Sequence, residues 1–279
     1  MSGHKTIVIT GASDGIGAAG ARQLHRDGHM VVIVGRSPEK TRAVAGELGA
    51  DYFVADFSRL DEVRSLAAKL QANYPRIDVL ANNAGGVFGA KKTTVDGFEQ
   101  TLQVNHLAPF LLTNLLIDRL AESRATVINT SSVANSRFGK FDIDDVNAER
   151  GYSENRAYGN AKLANILFTV ELHNRYAERG ISTAAFHPGI VATSFATGST
   201  SLMRLVYRSV FKVFLISPEE GADTLVWLAT TVPGIDWVSG AYYAKRQIAK
   251  ANPQAYDTAL AARLWDLSAG LVGSPVERH

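Results

Sequence analysis

Short apolar runs alternate along the chain with segments whose apolar residues recur at helical spacing. The short runs are rich in β-branched residues and occupy positions 6–9, 30–34, 52–55, 77–81, 126–130 and 182–186. Helical periodicity separates them, at 16–27, 38–48, 61–74, 97–120 and 155–176. Runs of the first kind predict buried strands, and segments of the second kind predict amphipathic helices.

This alternation predicts an α/β fold: a doubly wound, Rossmann-type parallel sheet of about seven strands with helices on both faces. The last strand is expected at 239–243. No linker, repeat or low-complexity tract interrupts the pattern, so we expect residues 1–279 to form a single domain. Ligands of such sheets bind at the carboxyl ends of the strands, which is where we look for chemistry.

Composition narrows the function classes. The chain has 29 basic and 27 acidic residues, a balance that does not indicate nucleic-acid binding. Cysteine is absent, which excludes disulfides and thiolate metal sites, and we assign no metal site. Five residues precede the first apolar run, too few for a signal peptide or an N-terminal anchor. No uncharged apolar stretch reaches the roughly 18 residues that span a membrane, so we expect a soluble, cytoplasmic protein.

A glycine-rich turn follows the first predicted strand. Gly15, Gly17 and Gly20 satisfy the spacing of the dinucleotide fingerprint, in which glycines let the backbone approach a pyrophosphate at a helix N-terminus. A glycine triplet alone is weak evidence. Its position between the first strand and the first helix is the required context, and it predicts nucleotide binding.

The residue at the end of the second strand indicates which nicotinamide cofactor binds. An acidic residue in this place binds the ribose 2′-hydroxyl of NAD. This chain has Arg36, whose guanidinium favours a 2′-phosphate through charge-assisted hydrogen bonds. The sequence therefore predicts a preference for NADP(H), with NAD(H) as the second choice. The alternative is that Arg36 is a solvated loop residue, with Glu39 nearby.

Tyr158 and Lys162 are four residues apart in the predicted helix 155–176, so their side chains lie on one face. An ordinary phenol titrates near ~10. A cation about 4 Å away, at an effective dielectric constant of about 20, contributes roughly 4 kcal/mol, enough to bring such a phenol close to neutrality. The pair can thus act as a general acid or base on a carbonyl or an alcohol. Taken alone, such a pair is more often a solvated helix face.

Seven motifs along the chain share one order and spacing with a known family. They are Thr10-Gly11-xxx-Gly15-x-Gly17, Asp56, Asn82-Asn83-Ala84-Gly85, Asn105, Ser131-Ser132, Tyr158-xxx-Lys162 and Pro188-Gly189. With these motifs the chain resembles the short-chain dehydrogenase/reductase family over nearly its whole length. The stretches 94–99, 104–114, 162–165 and 263–265 look like retinol-dehydrogenase-like proteins of that family. Such a likeness does not identify a substrate.

The resemblance implies a catalytic set of Asn105, Ser132, Tyr158 and Lys162. In this set Ser132 orients the substrate carbonyl and Tyr158 transfers the proton. Lys162 binds the nicotinamide ribose and assists the tyrosine, while Asn105 helps to hold a water that connects the lysine to solvent. We expect the segment 133–157 to form an elaborated loop beside the site and His106 to be a packing residue.

The resemblance also implies a cofactor-binding set, in which Asp56 binds the adenine edge and Asn83 lines the adenosine pocket. The full set is Gly11, Ser13, Asp14, Gly15, Ile16, Gly17, Arg36, Asp56, Phe57, Asn83, Ala84, Gly85, Tyr158, Lys162, Pro188, Gly189, Val191 and Thr193. A second interpretation of Asp56 is a cap for the helix that begins near Ser58. Asn82 is expected to serve backbone hydrogen bonding between strands.

Residues 194–217 are expected to form a substrate-lid insertion. The apolar residues of this stretch recur at helical spacing beside a basic stripe of Arg204, Arg208 and Lys212. By the resemblance, the segment covers the substrate pocket, which suggests a lipophilic carbonyl compound. The alternative is a basic amphipathic helix that touches a membrane surface.

We therefore expect an NADP(H)-dependent carbonyl reductase or alcohol dehydrogenase that acts on a small molecule, and the resemblance implies a homodimer or homotetramer. An alternative is a catalytically silent NADP(H)-binding sensor or regulator, although all four catalytic positions are kept. A light-dependent reductase is disfavoured because that class relies on cysteines. Sugar-nucleotide epimerases have a different glycine spacing.

Overall fold

A computed structural model describes residues 3–189 and 216–273. The strands of this part are β1 (Thr6–Thr10), β2 (Met30–Gly35), β3 (Asp51–Val54), β4 (Val79–Asn82), β5 (Thr126–Thr130), β6 (Ser182–His187), β7 (Ala241–Ala244) and β8 (Gln247–Ile248). Its helices are α1 (Gly15–Arg26), α2 (Pro38–Leu48), α3 (Leu60–Asn73), α4 (Gln100–Leu102), α5 (Ala108–Leu115), α6 (Ile117–Glu122), α7 (Ala134–Arg137), α8 (Glu154–Tyr176), α9 (Pro218–Thr230) and α10 (Thr258–Val272). A π-helical turn lies at Gln103–Leu107 and a 3-10 turn at Pro253–Tyr256.

The strands form one sheet in the spatial order β3-β2-β1-β4-β5-β6-β7-β8. The first seven are parallel, which confirms the predicted doubly wound α/β fold. An eighth strand was not predicted. It pairs antiparallel with β7 through two residues only, and such a short strand leaves no periodic pattern in the sequence.

The order of the strands places the predicted site. Because β1, β4, β5 and β6 are adjacent and parallel, their carboxyl ends meet at one edge of the sheet. The glycine-rich turn, the Asn83 segment, the serine pair and the Pro188 segment follow these four strands in turn. Motifs that are far apart in sequence are thereby brought to one edge.

Two hydrophobic layers cover the sheet. On one face α1, α2 and α9 pack in a cluster that includes Leu24, Val44 and Leu225. Gly20 of α1 faces Leu225 of α9, and a Cβ on Gly20 would lie 3.3 Å from that leucine, so the third fingerprint glycine allows close packing of the two helices. On the other face α3, α5, α8 and α10 enclose a second cluster that includes Trp265. None of the described helices combines the length and the apolar character needed to cross a membrane.

The single helix predicted at 97–120 is wrong. Gly97 adopts a left-handed conformation in a turn closed by Thr94, and Glu99 then caps α4 by accepting hydrogen bonds from the first backbone N–H groups. The π-helical turn follows, where Ala108 N–H donates to Gln103 C=O. Pro109 has no N–H to donate, so the chain restarts as α5 directly after this turn.

Asn82 has a role beyond the expected backbone pairing. Its buried side-chain Nδ2 donates to Thr113 Oγ1 at 3.0 Å and to Asn129 Oδ1 at 2.9 Å. Asn129 Nδ2 in turn donates to Thr169 Oγ1 at 2.9 Å. These bonds connect α5, β4, β5 and α8 across the buried face of the sheet. Buried polar groups that satisfy one another in this way hold neighbouring elements in one arrangement.

Candidate active site

The glycine-rich turn leaves no space for side chains where β1 passes into α1. Gly11 and Gly15 have φ values of 66° and 53°, in the left-handed region that favours glycine. A Cβ on Gly17 would lie 2.4 Å from the Gly11 carbonyl oxygen. Asp14 Oδ1 accepts from Gly15 N–H at 2.8 Å and begins α1. The glycine-rich turn therefore packs closely against the N-terminus of α1, and Ile16 lies in the first turn of that helix.

Hydrogen bonds connect the residues after β4 to the glycine-rich turn. Asn83 Nδ2 donates to the carbonyl oxygens of Thr10 at 3.0 Å and Gly11 at 3.4 Å. The backbone N–H groups of Asn83 and Ala84 both donate to Thr10 Oγ1 at 3.0 Å. Two predicted cofactor residues are thus brought next to the glycine-rich turn, and Thr10 connects them.

Two cations lie near the end of β2. A Cβ on Gly35 would lie 2.7 Å from Ser13 Cβ, so the glycine-rich turn packs directly against the end of this strand. Arg36 follows and is exposed. Lys40, in the first turn of α2, forms an exposed ion pair with Asp14 at 2.7 Å. Lys40 was not among the predicted site residues, although its position four residues after Arg36 could have suggested it.

Asp56 and Phe57 follow β3. Asp56 Oδ1 accepts hydrogen bonds from Ser58 N–H at 2.9 Å and Ser58 Oγ at 2.8 Å. The alternative interpretation of Asp56 as a helix cap is wrong. The helix α3 begins at Leu60, and the Leu60 N–H donates to Asp96 instead. The ring of Phe57 is buried in the core, which leaves its backbone for any cofactor contact.

Lys162 is buried beside Tyr158 on α8. The lysine side chain is 1% exposed, and Nζ lies 5.5 Å from the centroid of the tyrosine ring. Nζ also donates to the Thr130 carbonyl oxygen at 3.1 Å. Burial removes solvent from the ammonium and lowers the pKa of Lys162 to about 7. The predicted arrangement of the two side chains on one helix face is confirmed.

Asn105 sits in the middle of the π-helical turn and is fully buried. Its Nδ2 donates to Gly86 C=O at 3.0 Å and Thr101 C=O at 2.9 Å, and its Oδ1 accepts from Gly86 N–H at 3.1 Å. A Cβ on Gly85 would lie 2.5 Å from Asn105 Oδ1 and 3.2 Å from Lys162 Nζ. Asn105 Oδ1 and Lys162 Nζ therefore both lie on the side of Gly85 where a side chain would project.

The two serines after β5 have different surroundings. Ser131 is buried, and its Oγ donates to the Lys162 carbonyl oxygen at 2.7 Å, which anchors α8 to the end of the strand. Ser132 is half-buried, and its Oγ accepts from Ala134 N–H at 3.2 Å. Ser131 is thus the serine that anchors the helix, and Ser132 is the more accessible of the two.

His106 does not belong to the site. It is buried among Phe110 and Phe168, and its Nε2 lies 2.9 Å from Ser268 Oγ. Burial lowers the pKa of His106 to about 4, so the imidazole is neutral at pH 7. Its expected role in packing is confirmed.

The segment after β6 is described only in part. Gly189 has a φ of 94°, and its N–H donates to His187 Nδ1 at 3.3 Å. Burial, together with the nearby Arg137 cation, lowers the pKa of His187 to about 4. Pro188 and Gly189 thus lie at the expected edge of the sheet. Val191, Thr193 and nearly all of the predicted lid 194–217 lie outside the described residues.

The geometry of this edge fits a dinucleotide. Gly11 and Gly15 are half-buried and present backbone at the N-terminus of a twelve-residue helix, the arrangement that receives a pyrophosphate. Arg36 and Lys40 supply positive charge on one side of the turn. Tyr158, Lys162 and Ser132 lie at the carboxyl ends of the central strands on the other. Such an edge can bind a nicotinamide nucleotide and move a proton next to it.

The comparisons with known proteins agree with this geometry. The family of short chain dehydrogenases matches residues 5–202. The chain is 45% identical over 276 residues to DnrU of Streptomyces sp. (strain C5), named as a candidate daunorubicin C-13 ketoreductase, and the match covers 96% of this chain and 93% of that protein. It is 39% identical over 277 residues to retinol dehydrogenase 12 of Bos taurus, with coverage of 96% and 86%.

Solved structures show the same fold. A crystal structure of an uncharacterised protein from Mycobacterium paratuberculosis matches with a TM-score of 0.78 at 33% identity, over 98% of this chain and 95% of the other. The NADP active-site complex of RhlG from Pseudomonas aeruginosa matches with a TM-score of 0.67 at 26% identity, with coverage of 85% and 93%. The sequence motifs, the sheet and these relatives lead to one conclusion: the chain belongs to the short-chain dehydrogenase/reductase family, as an oxidoreductase of its retinol-dehydrogenase-like branch.

Proposed function

We propose that this protein is an NADP(H)-dependent carbonyl reductase or alcohol dehydrogenase in which Tyr158 is the general acid and base. The observation that carries the proposal is the buried Lys162 amine, which lies 5.5 Å from the Tyr158 ring and donates to Thr130, the last residue of β5, two residues before Ser132. A buried amine is costly in a core, and it marks a functional site more often than a structural one.

The residues of the site divide the chemistry between them. Ser132 Oγ would hold the substrate oxygen, and Tyr158 would give that oxygen its proton during reduction or take it during oxidation. Bound NADP(H) supplies or accepts the hydride. Lys162 would bind the ribose hydroxyls, and contacts with hydroxyls or with a tyrosinate favour its ammonium form. Its lowered pKa makes the charge of the site responsive to what binds there.

Asn105 would hold a water beside Lys162 that allows proton exchange with solvent. Support comes from Gly85, which has no room for a Cβ because Asn105 Oδ1 and Lys162 Nζ both lie close to the position that it would take. The hydrogen bonds of Asn105 to Gly86 and Thr101 fix its orientation. A fixed amide at this position can order a water without moving itself.

The cofactor preference rests on charge at the end of β2. Arg36 is exposed there, and Lys40 adds a second cation close to the glycine-rich turn. A ribose 2′-phosphate would find two cationic partners, whereas the 2′-hydroxyl of NAD would find no acidic residue at position 36. The NADP complex of RhlG is consistent with this preference.

We propose a lipophilic carbonyl compound as the substrate. Two relatives are named as a daunorubicin C-13 ketoreductase and as a retinol dehydrogenase. The predicted lid 194–217 is itself rich in apolar residues. A lid of this composition would favour substrates that bury apolar surface.

The deciding experiment measures nicotinamide absorbance with NADPH and NADH in parallel against a panel of carbonyl compounds. The panel contains retinals, steroid ketones, small aryl ketones and the quinone 9,10-phenanthrenequinone. We expect turnover with NADPH, and we expect Tyr158→Phe to lose it by a factor of about 10² or more while NADPH still binds. Tyr52→Phe is the matched control, because Tyr52 lies on the distant edge strand β3.

Two results would count against the proposal. Substantial turnover by Tyr158→Phe would rule out this tyrosine as the acid. Tight NADPH binding without turnover of any panel member would favour the alternative of a catalytically silent sensor, and co-purified ligands would then be extracted and identified by mass spectrometry.

We also propose a cytoplasmic location, which rests on the composition. The family likeness supports a homodimer or a homotetramer. Cell fractionation and light scattering of the purified chain test them. Recovery in the membrane fraction would favour the alternative for the basic stretch 202–216, a surface helix that touches lipid.

A further inference from the structure

A buried amide network lies directly behind Ser132. Asn135 is fully buried, and its Nδ2 donates to the Ser132 carbonyl oxygen at 2.5 Å and to the Tyr242 hydroxyl at 3.2 Å. Its Oδ1 accepts from the backbone N–H of Asn252 at 2.9 Å and from Ser136 Oγ at 3.0 Å. Asn135, three residues after Ser132, is therefore hydrogen-bonded to Tyr242 of β7 and to Asn252 in the C-terminal part of the chain.

Asn252 completes the network from the other side. It is also buried, and its Nδ2 donates to the carbonyl oxygens of Asn135 at 2.9 Å and Gly139 at 2.8 Å. Gln254 continues the connection, because its side chain both donates to and accepts from the backbone of Phe141 at 2.9 Å. One short stretch, 252–254, thus binds the segment 132–141 at three points along its length.

The same segment touches α8 next to Tyr158. A Cβ on Gly159 would lie 2.8 Å from both Gly139 N and Phe138 C, so the helix and the loop are in direct backbone contact. The Lys140 N–H also donates to Asn160 Oδ1 at 2.8 Å. The segment 132–141 therefore begins at Ser132 and ends against the residues that follow Tyr158.

We propose that Asn135 and Asn252 are positioning residues that set the place of Ser132 relative to Tyr158. This inference rests on the proposed function, in which those two side chains share one substrate oxygen. Both asparagines need donor and acceptor atoms at once, because they bind carbonyl oxygens and N–H groups on different segments. A shift of about 1 Å between catalytic groups can reduce a rate by about 10²-fold.

The test uses Asn252→Asp, which keeps the size of the side chain and removes its two N–H donors. With NADPH and 9,10-phenanthrenequinone we expect kcat to fall by about 10- to 100-fold, while the NADPH dissociation constant stays within about twofold. In a Ser132→Ala background the same change should lower the residual rate by less than about twofold, since the residue acts through Ser132. The control is Asn114→Asp, a half-buried amide on α5 that donates to Phe110 C=O.

Equal losses in both backgrounds would overturn the inference, because the network would then act on the whole fold rather than on Ser132. An unchanged kcat would overturn it as well. The two hypotheses are distinguishable: if Ser132→Ala and Tyr158→Phe retain full turnover, the proposed function fails, whereas if both lose turnover and Asn252→Asp does not, only the positioning role fails.

Hydrogen exchange provides a second measurement that needs no substrate. Asn252→Asp should speed amide exchange in 132–141 and leave β1 and α1 unchanged, and exchange that is unaltered in 132–141 would overturn the inference. If Asn252→Asp does not fold, Tyr242→Phe replaces it, because that change removes only the hydroxyl that Asn135 contacts. We expect Tyr242→Phe to lower kcat and to speed amide exchange in 132–141, both by less than Asn252→Asp does.

Discussion

Lys162 Nζ lies 5.5 Å from the centroid of the Tyr158 ring, and it donates to the carbonyl oxygen of Thr130 at 3.1 Å. A carbonyl oxygen solvates an ammonium only in part, and the lysine is buried. The cost of desolvation lowers the pKa of Lys162 from 10.5 to about 7. The position that serves the proposed chemistry is therefore one that the fold maintains at the expense of stability.

Replacement of Lys162 by methionine should make this cost measurable. Between pH 7 and pH 10.5 the unfolded lysine binds more protons than the buried one, so the contribution of Lys162 to stability rises with pH across that window. The free energy of unfolding of the wild type minus that of Lys162→Met should increase by up to about 1.4 kcal/mol per pH unit. Urea unfolding at pH 7, 8 and 9 measures this difference.

Lys69→Met is the control for this measurement, because Lys69 is exposed on α3. The free energy of unfolding of the wild type minus that of Lys69→Met should not change over the same range of pH. A flat difference for Lys162→Met would show that burial does not alter the titration of Lys162, and the charge argument for the site would then fail.

Gly17→Ala should weaken cofactor binding through the backbone. The new Cβ would lie 2.4 Å from the Gly11 carbonyl oxygen and 2.6 Å from Asn83 Nδ2, so the turn has to move away from α1. We expect a loss of stability of about 1–3 kcal/mol. We also expect at least a tenfold rise in the NADPH dissociation constant, on the order of the cost of one misplaced hydrogen bond. Fluorescence titration and thermal unfolding measure the two effects.

Gly46→Ala provides the matched control on α2. No heavy atom lies within 4 Å of a Cβ at Gly46, and the position is helical. Alanine should therefore stabilise the helix by about 0.5–1 kcal/mol and leave NADPH binding unchanged. Equal NADPH affinity in Gly17→Ala and the wild type would contradict the role of this turn.

The sequence predicted those parts of the fold that depend on local patterns. The helix α2 was predicted at its observed bounds, 38–48, from helical periodicity, and the structure shows Ser37, Pro38 and the αL residue Gly49 at its two ends. The carboxyl ends of the predicted strands lie within one residue of the observed ends, because the apolar runs stop there. The pair of Tyr158 and Lys162 needed only the spacing of a helix.

What the sequence could not predict depends on contacts between distant segments. Asn135 and Asn252 are 117 residues apart, and nothing around either residue indicates the other. The break in the helix predicted at 97–120 arises from a π-helical turn that the buried amide of Asn105 stabilises. Apolar periodicity continues through such a turn, so the pattern alone does not show it.

Trp265→Ala should show how far α10 supports the fold. Trp265 is 3% exposed, and its ring centroid lies 5.0 Å from that of Phe110 and 5.7 Å from that of Phe168. Removal of a buried indole leaves a cavity between α5, α8 and α10, and we expect a loss of about 3–5 kcal/mol. Ile235→Ala, at a residue that is 82% exposed, should stay within about 0.5 kcal/mol. Denaturant unfolding compares the two, and similar values would contradict the packing role.

Arg36→Ala should test whether the Arg36 guanidinium sets the preference for NADPH over NADH. The proposal gives Arg36 charge-assisted hydrogen bonds to the 2′-phosphate, worth about 1.5–3 kcal/mol. Their loss should raise the KM for NADPH by about 10- to 100-fold, since about 1.4 kcal/mol corresponds to a factor of ten. The KM for NADH should change by less than about twofold, because NADH carries no phosphate at that position.

The control for Arg36 is Arg42→Ala, which also removes an exposed guanidinium from this part of the chain. Arg42 lies on α2 and donates to the Tyr52 hydroxyl on β3, so it is directed toward the edge of the sheet. Its loss should alter neither KM. Because an attraction to phosphate is electrostatic, raised salt should weaken NADPH binding in the wild type more than in Arg36→Ala. Equal changes in both KM values after Arg36→Ala would show that the residue supports the turn and does not select the cofactor.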